Sequence, residues 1–291
     1  IYRTRKEAVN MKLQSITEKQ IQKFKRYLVN EEKSDATIEK YIRDITAFSG
    51  WLGGGIPCKE KVIQYKECLI AQYKTASVNS ILSSLNTFFE YADWHKMKVK
   101  TLKMQRQIFA DQSKELTKAE YERLLMAAKD KKNEKLYYLI QTIASTGLRV
   151  SEIQFVTCEA IRRGQAVISC KGKIRQVFLP KKLCVILKKY VSEHGIKNGS
   201  VFVTRTGAPL DRSNIWRMLK NLCESAGVSK EKVFPHNFRH LFARTYYSLQ
   251  KDIVRLADIL GHSNINTTRI YTTESGMEHM KQLQKLGFLR T

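Results

Sequence analysis

The stretch PHNFRHLFARTYYSLQKDIVRLADILGHSNINTTRIYT, residues 235–272, decides how the chain reads. Pro235 stands where the first residue of a helix belongs, since its fixed φ suits that turn and its missing N–H is one the helix would leave unpaired. His236 and Arg239 follow at i,i+3, so their side chains project from one face of the first turn, a cationic or hydrogen-bonding face. The helical period runs to Leu249, and a second helix is expected over Asp252 to Leu260. His262 follows Gly261, and Tyr271 comes nine residues later on a helix expected from Asn264.

Two further segments join this one. TGLRVSE (146–152) puts Arg149 at the start of a helix after Gly147. QAVIS (165–169) and RQVFL (175–179) are β-branched or alternating runs around Cys170-Lys171-Gly172-Lys173, the signature of a hairpin. Two arginines, two histidines, a hairpin lysine and a tyrosine are the parts needed to hold a phosphodiester and attack it without a metal. Any one of them alone, in so basic a chain, reads as a solvated surface residue.

Helical periodicity fills most of the remainder, over Lys118 to Ala128, Leu136 to Ser145, Lys182 to His194, Arg212 to Ala226 and an amphipathic last piece, Glu278 to Leu286. In the N-terminal part a capping box at Thr17–Gln20 opens a first helix, a second follows Asp35, and two more span Lys59 to Tyr73 and Ser77 to Trp94. A second capping box, Thr117–Glu120, follows the basic, aperiodic stretch from Lys96 to Lys114. The organisation expected is an N-terminal extension over 1–13, a helical domain over 14–98, a linker over 99–114 and a second domain over 115–291 with a tail from 276. The fold class is mainly α with a small antiparallel β-sheet. Trp51, Trp94 and Trp216 read as packing residues, and His240, beside Phe238, Leu241 and Phe242, as a core or supporting histidine.

The 291 residues carry 52 Lys+Arg against 27 Asp+Glu, a net charge of +25, far beyond what solubility needs. Both parts are basic: residues 1–110 hold 20 basic and 11 acidic residues. A polyanion is the expected partner, bound with a steep salt dependence. No run of eighteen apolar residues and no apolar signal region is present, so neither a membrane span nor a secretory leader is expected, and the chain reads as cytoplasmic. The cysteines are spaced ten or more residues apart without a C-x-x-C pair, and His236 and His240 lack the intervening Glu of an H-E-x-x-H site. No metal and no cofactor is expected.

On TGLRVSE (146–152), SCKGKIRQVFLP (169–180), PHNFRH (235–240) and LADILGHSNINTTRIYT (256–272), the chain resembles the tyrosine site-specific recombinases, the lambda-integrase family, and most closely its two-domain, Xer-like members. The resemblance covers residues 115–291 well, while the N-terminal half matches that family's core-binding domain in pattern only. It implies a site-specific DNA recombinase or integrase, of a bacterium or a mobile element, that cuts and rejoins duplex DNA through a 3′-phosphotyrosine, needing neither metal nor ATP. Tyr271 would be the nucleophile, Arg149 and Arg239 the phosphate clamps, and His236 the proton acceptor. His262 would be a phosphate hydrogen-bond donor and Lys171 the general acid, with Lys173 as the fallback; Glu152 and His240 would support the site. The resemblance also implies a C-shaped clamp on DNA bearing inverted-repeat half-sites, a free monomer that assembles as a tetrameric synapse on the nucleoid, and a tail whose apolar stripe, Met277, Met280, Leu283 and Leu286, docks on a neighbouring protomer, the alternative being a cap on its own domain. The rival readings are a type IB topoisomerase-like enzyme and a non-catalytic DNA-binding or architectural protein. Against the second stands the presence of all six candidate catalytic residues. RNA binding would call for aromatic RNP-type strands, which the sequence lacks.

Overall fold

The computed structural model describes residues 15–103, 112–170, 173–271 and 284–285. The chain divides into two compact units, Ile1–Arg106 and Gln107–Thr291.

In the first unit α1 (Glu18–Asn30), α2 (Asp35–Leu52), α3 (Lys59–Gln72) and α4 (Thr75–Tyr91) pack around one core. The expected capping box forms: the Thr17 side chain accepts from the Gln20 N–H while the Gln20 side chain accepts from the Thr17 N–H. Phe24, Phe48, Phe88 and Phe89 are fully buried, and Trp94 is 5% exposed. Trp51 packs beside Tyr65 but stays 39% exposed, so it lines the edge of the core and not its centre.

In the second unit α5 (Lys118–Asp130) opens with the other capping box, Thr117–Glu120. α6 (Glu134–Thr146), α7 (Cys158–Arg163), α8 (Lys181–Glu193), α9 (Arg212–Lys220), α10 (Cys223–Ala226), α11 (Pro235–Gln250) and α12 (Ile253–Leu260) follow. β1 (Gln165–Cys170) and β2 (Lys173–Phe178) form the hairpin, with Cys170 opposite Lys173 and Ile168 opposite Arg175. The fold is therefore mostly helical with a small antiparallel sheet, as the periodicities indicated. Three expected helices differ. The one after Leu148 is a 3₁₀ stretch, Val150–Phe155; the one over 212–226 breaks into α9 and α10; and the one after Asn264 is two 3₁₀ turns, Ile265–Thr267 and Arg269–Tyr271. Trp216, expected to pack, is 50% exposed with the Lys220 ammonium over its ring. The tail's apolar stripe lies outside the described residues, of which only 284–285 are helical there. No helix among the described residues is long and apolar enough to cross a membrane.

Candidate active site

Arg239 is the fixed point of the site. Pro235 opens α11, and the first turn carries Arg239 inward until none of its surface is exposed. A buried guanidinium is costly unless most of its donors find acceptors, and here both terminal nitrogens do while Nε has none. Nη1 donates to the Gly147 carbonyl, and Nη2 to the Leu260 carbonyl at 2.8 Å. Gly147 caps the C-terminus of α6 and Leu260 is the last residue of α12. Helix C-termini leave carbonyls unpaired and carry partial negative charge, so two helix ends converge on one cation. Burial, and then the charge of Arg149, lower the Arg239 pKa to about 10, while Tyr271 opposes the shift. The group remains a cation at neutral pH.

This convergence explains two glycines. Gly147 adopts φ +65°, and a Cβ there would lie 2.5 Å from the Phe242 ring. Gly261 adopts φ +64°, and a Cβ there would lie 2.5 Å from Cδ of Arg175. Either position is left-handed and crowded, so only glycine fits without displacement.

Arg149 leads into the Val150–Phe155 turn, with Nη1 donating to Glu152 Oε1 at 3.0 Å and its backbone N–H to Oε2 at 2.8 Å. The Glu152 side chain is 4% exposed, whereas that of Arg149 is 39% exposed, which leaves the arginine open to an anion. A cleft of about 660 Å³ lies alongside, lined by Arg149, Glu152, Arg175 and His262 among others.

The His262 ring bridges two partners: Nε2 lies 2.9 Å from Arg239 Nη2, and Nδ1 lies 2.9 Å from Thr268 Oγ1. A guanidinium only donates, so Nε2 accepts and the proton belongs on Nδ1, which donates to Thr268. Burial, then Arg239, Arg149, Arg175 and His236, push His262 down to about 4, so it is neutral at pH 7.

Tyr271 ends the Arg269–Tyr271 turn, 4% exposed. His240 meets its ring edge-on at 4.9 Å between centroids, and the His262 ring stacks on it at 6.2 Å. His236 lies one step out, against His240 at 4.5 Å. Burial first, then His236 and Arg239, lower His240 to about 4, and its Nε2 is buried without a hydrogen-bond partner. His236 keeps a solvent-exposed edge, yet crowding by protein atoms and the charges of Arg239, Arg149 and Arg212 lower its pKa too.

Arg149, Glu152, His236, Arg239, His240, His262 and Tyr271 thus come together from three separate stretches of chain. Lys171 and the Lys173 side chain lie outside the described residues. Sequence reasoning missed Arg175, which donates to Glu152, and Thr268, which is fully buried beside His262. Both had a signal. Arg175 is a charge in the inward phase of a strand whose neighbours Val177 and Leu179 are buried, and Thr268 is the first residue of T-x-x-Y. Among the described residues no cluster of three or more His, Cys, Asp or Glu could hold a metal ion.

Residues 114–277 match the family model described as the phage integrase family, and residues 21–96 match the phage integrase N-terminal SAM-like domain. The chain belongs to the phage integrase family. Among curated relatives, this phage integrase family member is 29% identical over 275 residues to tyrosine recombinase XerA of Thermococcus kodakarensis, covering 91% of this chain and 94% of that one. The solved structure of XerH recombinase bound to difH substrate, a pre-cleavage complex, superposes with a TM-score of 0.68 at 20% identity, over 93% of this chain and 85% of that one. A lambda integrase dimer bound to a COC′ core site gives 0.71 at 18% identity, over 89% and 96%. At those identities the two structures speak for the fold alone.

Proposed function

We propose that this phage integrase family member is a site-specific DNA recombinase that cuts and rejoins duplex DNA through Tyr271, with the chemistry in residues 115–291 and a share of DNA binding in residues 14–98. The observation that carries the reading is that Arg239 and His262 meet at two helix C-termini with the Tyr271 ring stacked on His262, while Arg149 lines the cleft beside them. The net charge of +25 supplies the affinity for a polyanion.

In the proposed reaction the Tyr271 oxygen attacks the scissile phosphorus, the bond to the 5′-oxygen breaks, and a 3′-phosphotyrosyl link and a free 5′-hydroxyl result. The reverse attack by a 5′-hydroxyl of another strand restores the phosphodiester, so bond energy is conserved and no nucleotide is consumed. Arg149 and Arg239 hold the non-bridging oxygens as charge builds on them. Neutral imidazoles accept the phenolic proton: His240 is the ring against Tyr271 in this state, and His236 is the acceptor once the tyrosine turns out to the phosphate. His262, whose Nε2 already accepts from Arg239, aims that arginine and reaches the phosphate only if the bond is exchanged. Lys171 protonates the leaving 5′-oxygen. Since Tyr271 is covered and Arg239 fully buried, cleavage requires the Arg269–Tyr271 turn to move outward. We place this step in an assembly of protomers on paired, inverted half-sites.

A strand-exchange assay tests the proposal. Inverted repeats of about a dozen base pairs beside the gene, the scale of one half-site per protomer, are placed on two DNAs of different length. Recombinant products with the wild-type chain and none with Tyr271→Phe are expected. Relaxation of supercoiled plasmid without any exchange would favour a topoisomerase instead.

A further inference from the structure

β2 alternates in a way that singles out one residue. Ile174 and Phe178 are each 76% exposed, while Val177 and then Leu179 are 5% exposed, so the odd positions face the core. Arg175 shares that inward phase. A long charged side chain in an inward phase is costly unless its donors are matched one by one.

They largely are. Arg175 Nη2 donates to Glu152 Oε2 at 2.8 Å, and Nη1 donates to the Ile259 carbonyl at 2.8 Å, in the last turn of α12. Its Nε is buried without a partner, so the two terminal nitrogens alone hold the fork by hydrogen bonds. Its aliphatic stem fills the space over Gly261, where a Cβ would meet Cδ at 2.5 Å and Nε at 2.7 Å. One side chain therefore ties three pieces: the hairpin that bears it, the turn that carries Arg149, and the Gly261–His262 corner. Glu152 completes the link, because Oε2 accepts from both Arg175 and the Arg149 N–H, and Oε1 accepts from Arg149 Nη1. Losing Arg175 would free Glu152 to rotate, and with it the exposed guanidinium of Arg149.

We propose that Arg175 is a positioning residue for strand cleavage, holding Arg149 through Glu152, with the Ile259 carbonyl as the anchor of its own fork. The role rests on the recombinase reading above. It differs from a purely structural one because its effect must pass through Arg149. A misplacement of about 1 Å in a phosphate clamp is enough to cost about 10²-fold in rate. Lysine cannot replace the fork, since one ammonium does not span the Glu152 carboxylate and the Ile259 carbonyl in the same geometry.

The test is a double-mutant cycle in single-turnover cleavage of a nicked suicide duplex by the full chain, using wild type, Arg149→Ala, Arg175→Ala and the double variant. Half-site affinity and melting temperature are read in parallel. Expected is a loss of about 10²-fold in rate for Arg175→Ala with half-site affinity within about threefold, and a double variant no slower than Arg149→Ala by more than about threefold. Arg175→Lys, which keeps the cation, should show the same rate defect and serves for the cycle if Arg175→Ala does not fold. A double variant slowed by the product of the two single factors would overturn the proposal, as would a rate loss matched by an equal loss of affinity. A wild-type chain that leaves the duplex uncut would overturn the recombinase reading itself, and the role of Arg175 with it.

Discussion

The two arginines of the site have different surroundings and should fail differently. Arg239 is fully buried and bonded to the Gly147 and Leu260 carbonyls and to His262 Nε2, whereas the Arg149 side chain is 39% exposed and bonded to Glu152. Arg239→Ala strands three acceptors, each worth about 1–3 kcal/mol when buried and unpaired. Removing the cation also removes its own desolvation, which offsets part of the loss. The net destabilisation expected is about 2–4 kcal/mol, a melting temperature lower by about 5–15 °C for a unit of this size. Arg149→Ala removes one partner of the buried Glu152 carboxylate, which keeps Arg175 and the backbone N–H of residue 149, and should cost about 1–2 kcal/mol. Both variants should lose about 10²-fold or more in cleavage of a suicide duplex, because each removes a preorganised donor to the phosphorane. Melting followed by circular dichroism, beside single-turnover cleavage, separates the two effects. If Arg239→Ala melts within about 2 °C of wild type, the claim that two helix ends depend on that cation is refuted, whatever happens to the rate.

Stability should also fall in mild acid. His240 and His262 are held at about 4 against an ordinary 6.5, so as pH drops the unfolded chain takes up protons first; the contribution is complete above 6.5 and is lost between 6.5 and about 4. Each shift corresponds to at most about 3 kcal/mol, reduced because both rings are partly solvated, and urea midpoints that are equal at pH 7.5 and pH 5 would contradict the neutral assignment. For the hairpin lysine, Lys171→Ala should cleave a normal phosphodiester poorly but recover on a substrate with a 5′-bridging sulfur, which leaves without protonation. Rescue of Lys173→Ala in its place would move the general acid to that residue.

Much of the site was legible because its chemistry is carried by short segments with fixed local geometry. Pro235 predicts a helix start, so the shared face of His236 and Arg239 followed directly. The capping boxes at Thr17 and Thr117 worked for the same reason: each is complete within four residues. What failed was tertiary. The segment after Asn264 contains residues compatible with a helix, yet the Thr268 hydroxyl and the Tyr271 N–H are drawn into turns that reach His262, and 3₁₀ geometry results. The turn at 150–155 is shaped by Glu152 closing on Arg149, three residues back, and on Arg175, a distant partner that no local pattern names. Which of His236 and His240 lies against Tyr271 depends on how α11 packs against the Arg269–Tyr271 turn, a tertiary matter on which the i,i+4 spacing of the two is silent; the ring in contact is His240.

Covalent capture identifies the attacking residue. The full chain is incubated with a duplex nicked so that the cut end diffuses away, and the protein–DNA adduct is digested and its linked residue identified by mass spectrometry. A single 3′-phosphotyrosyl link at Tyr271 is expected, absent from Tyr271→Phe and formed with a chelator present. An adduct on another residue, or one that Tyr271→Phe still forms, would contradict the role of Tyr271.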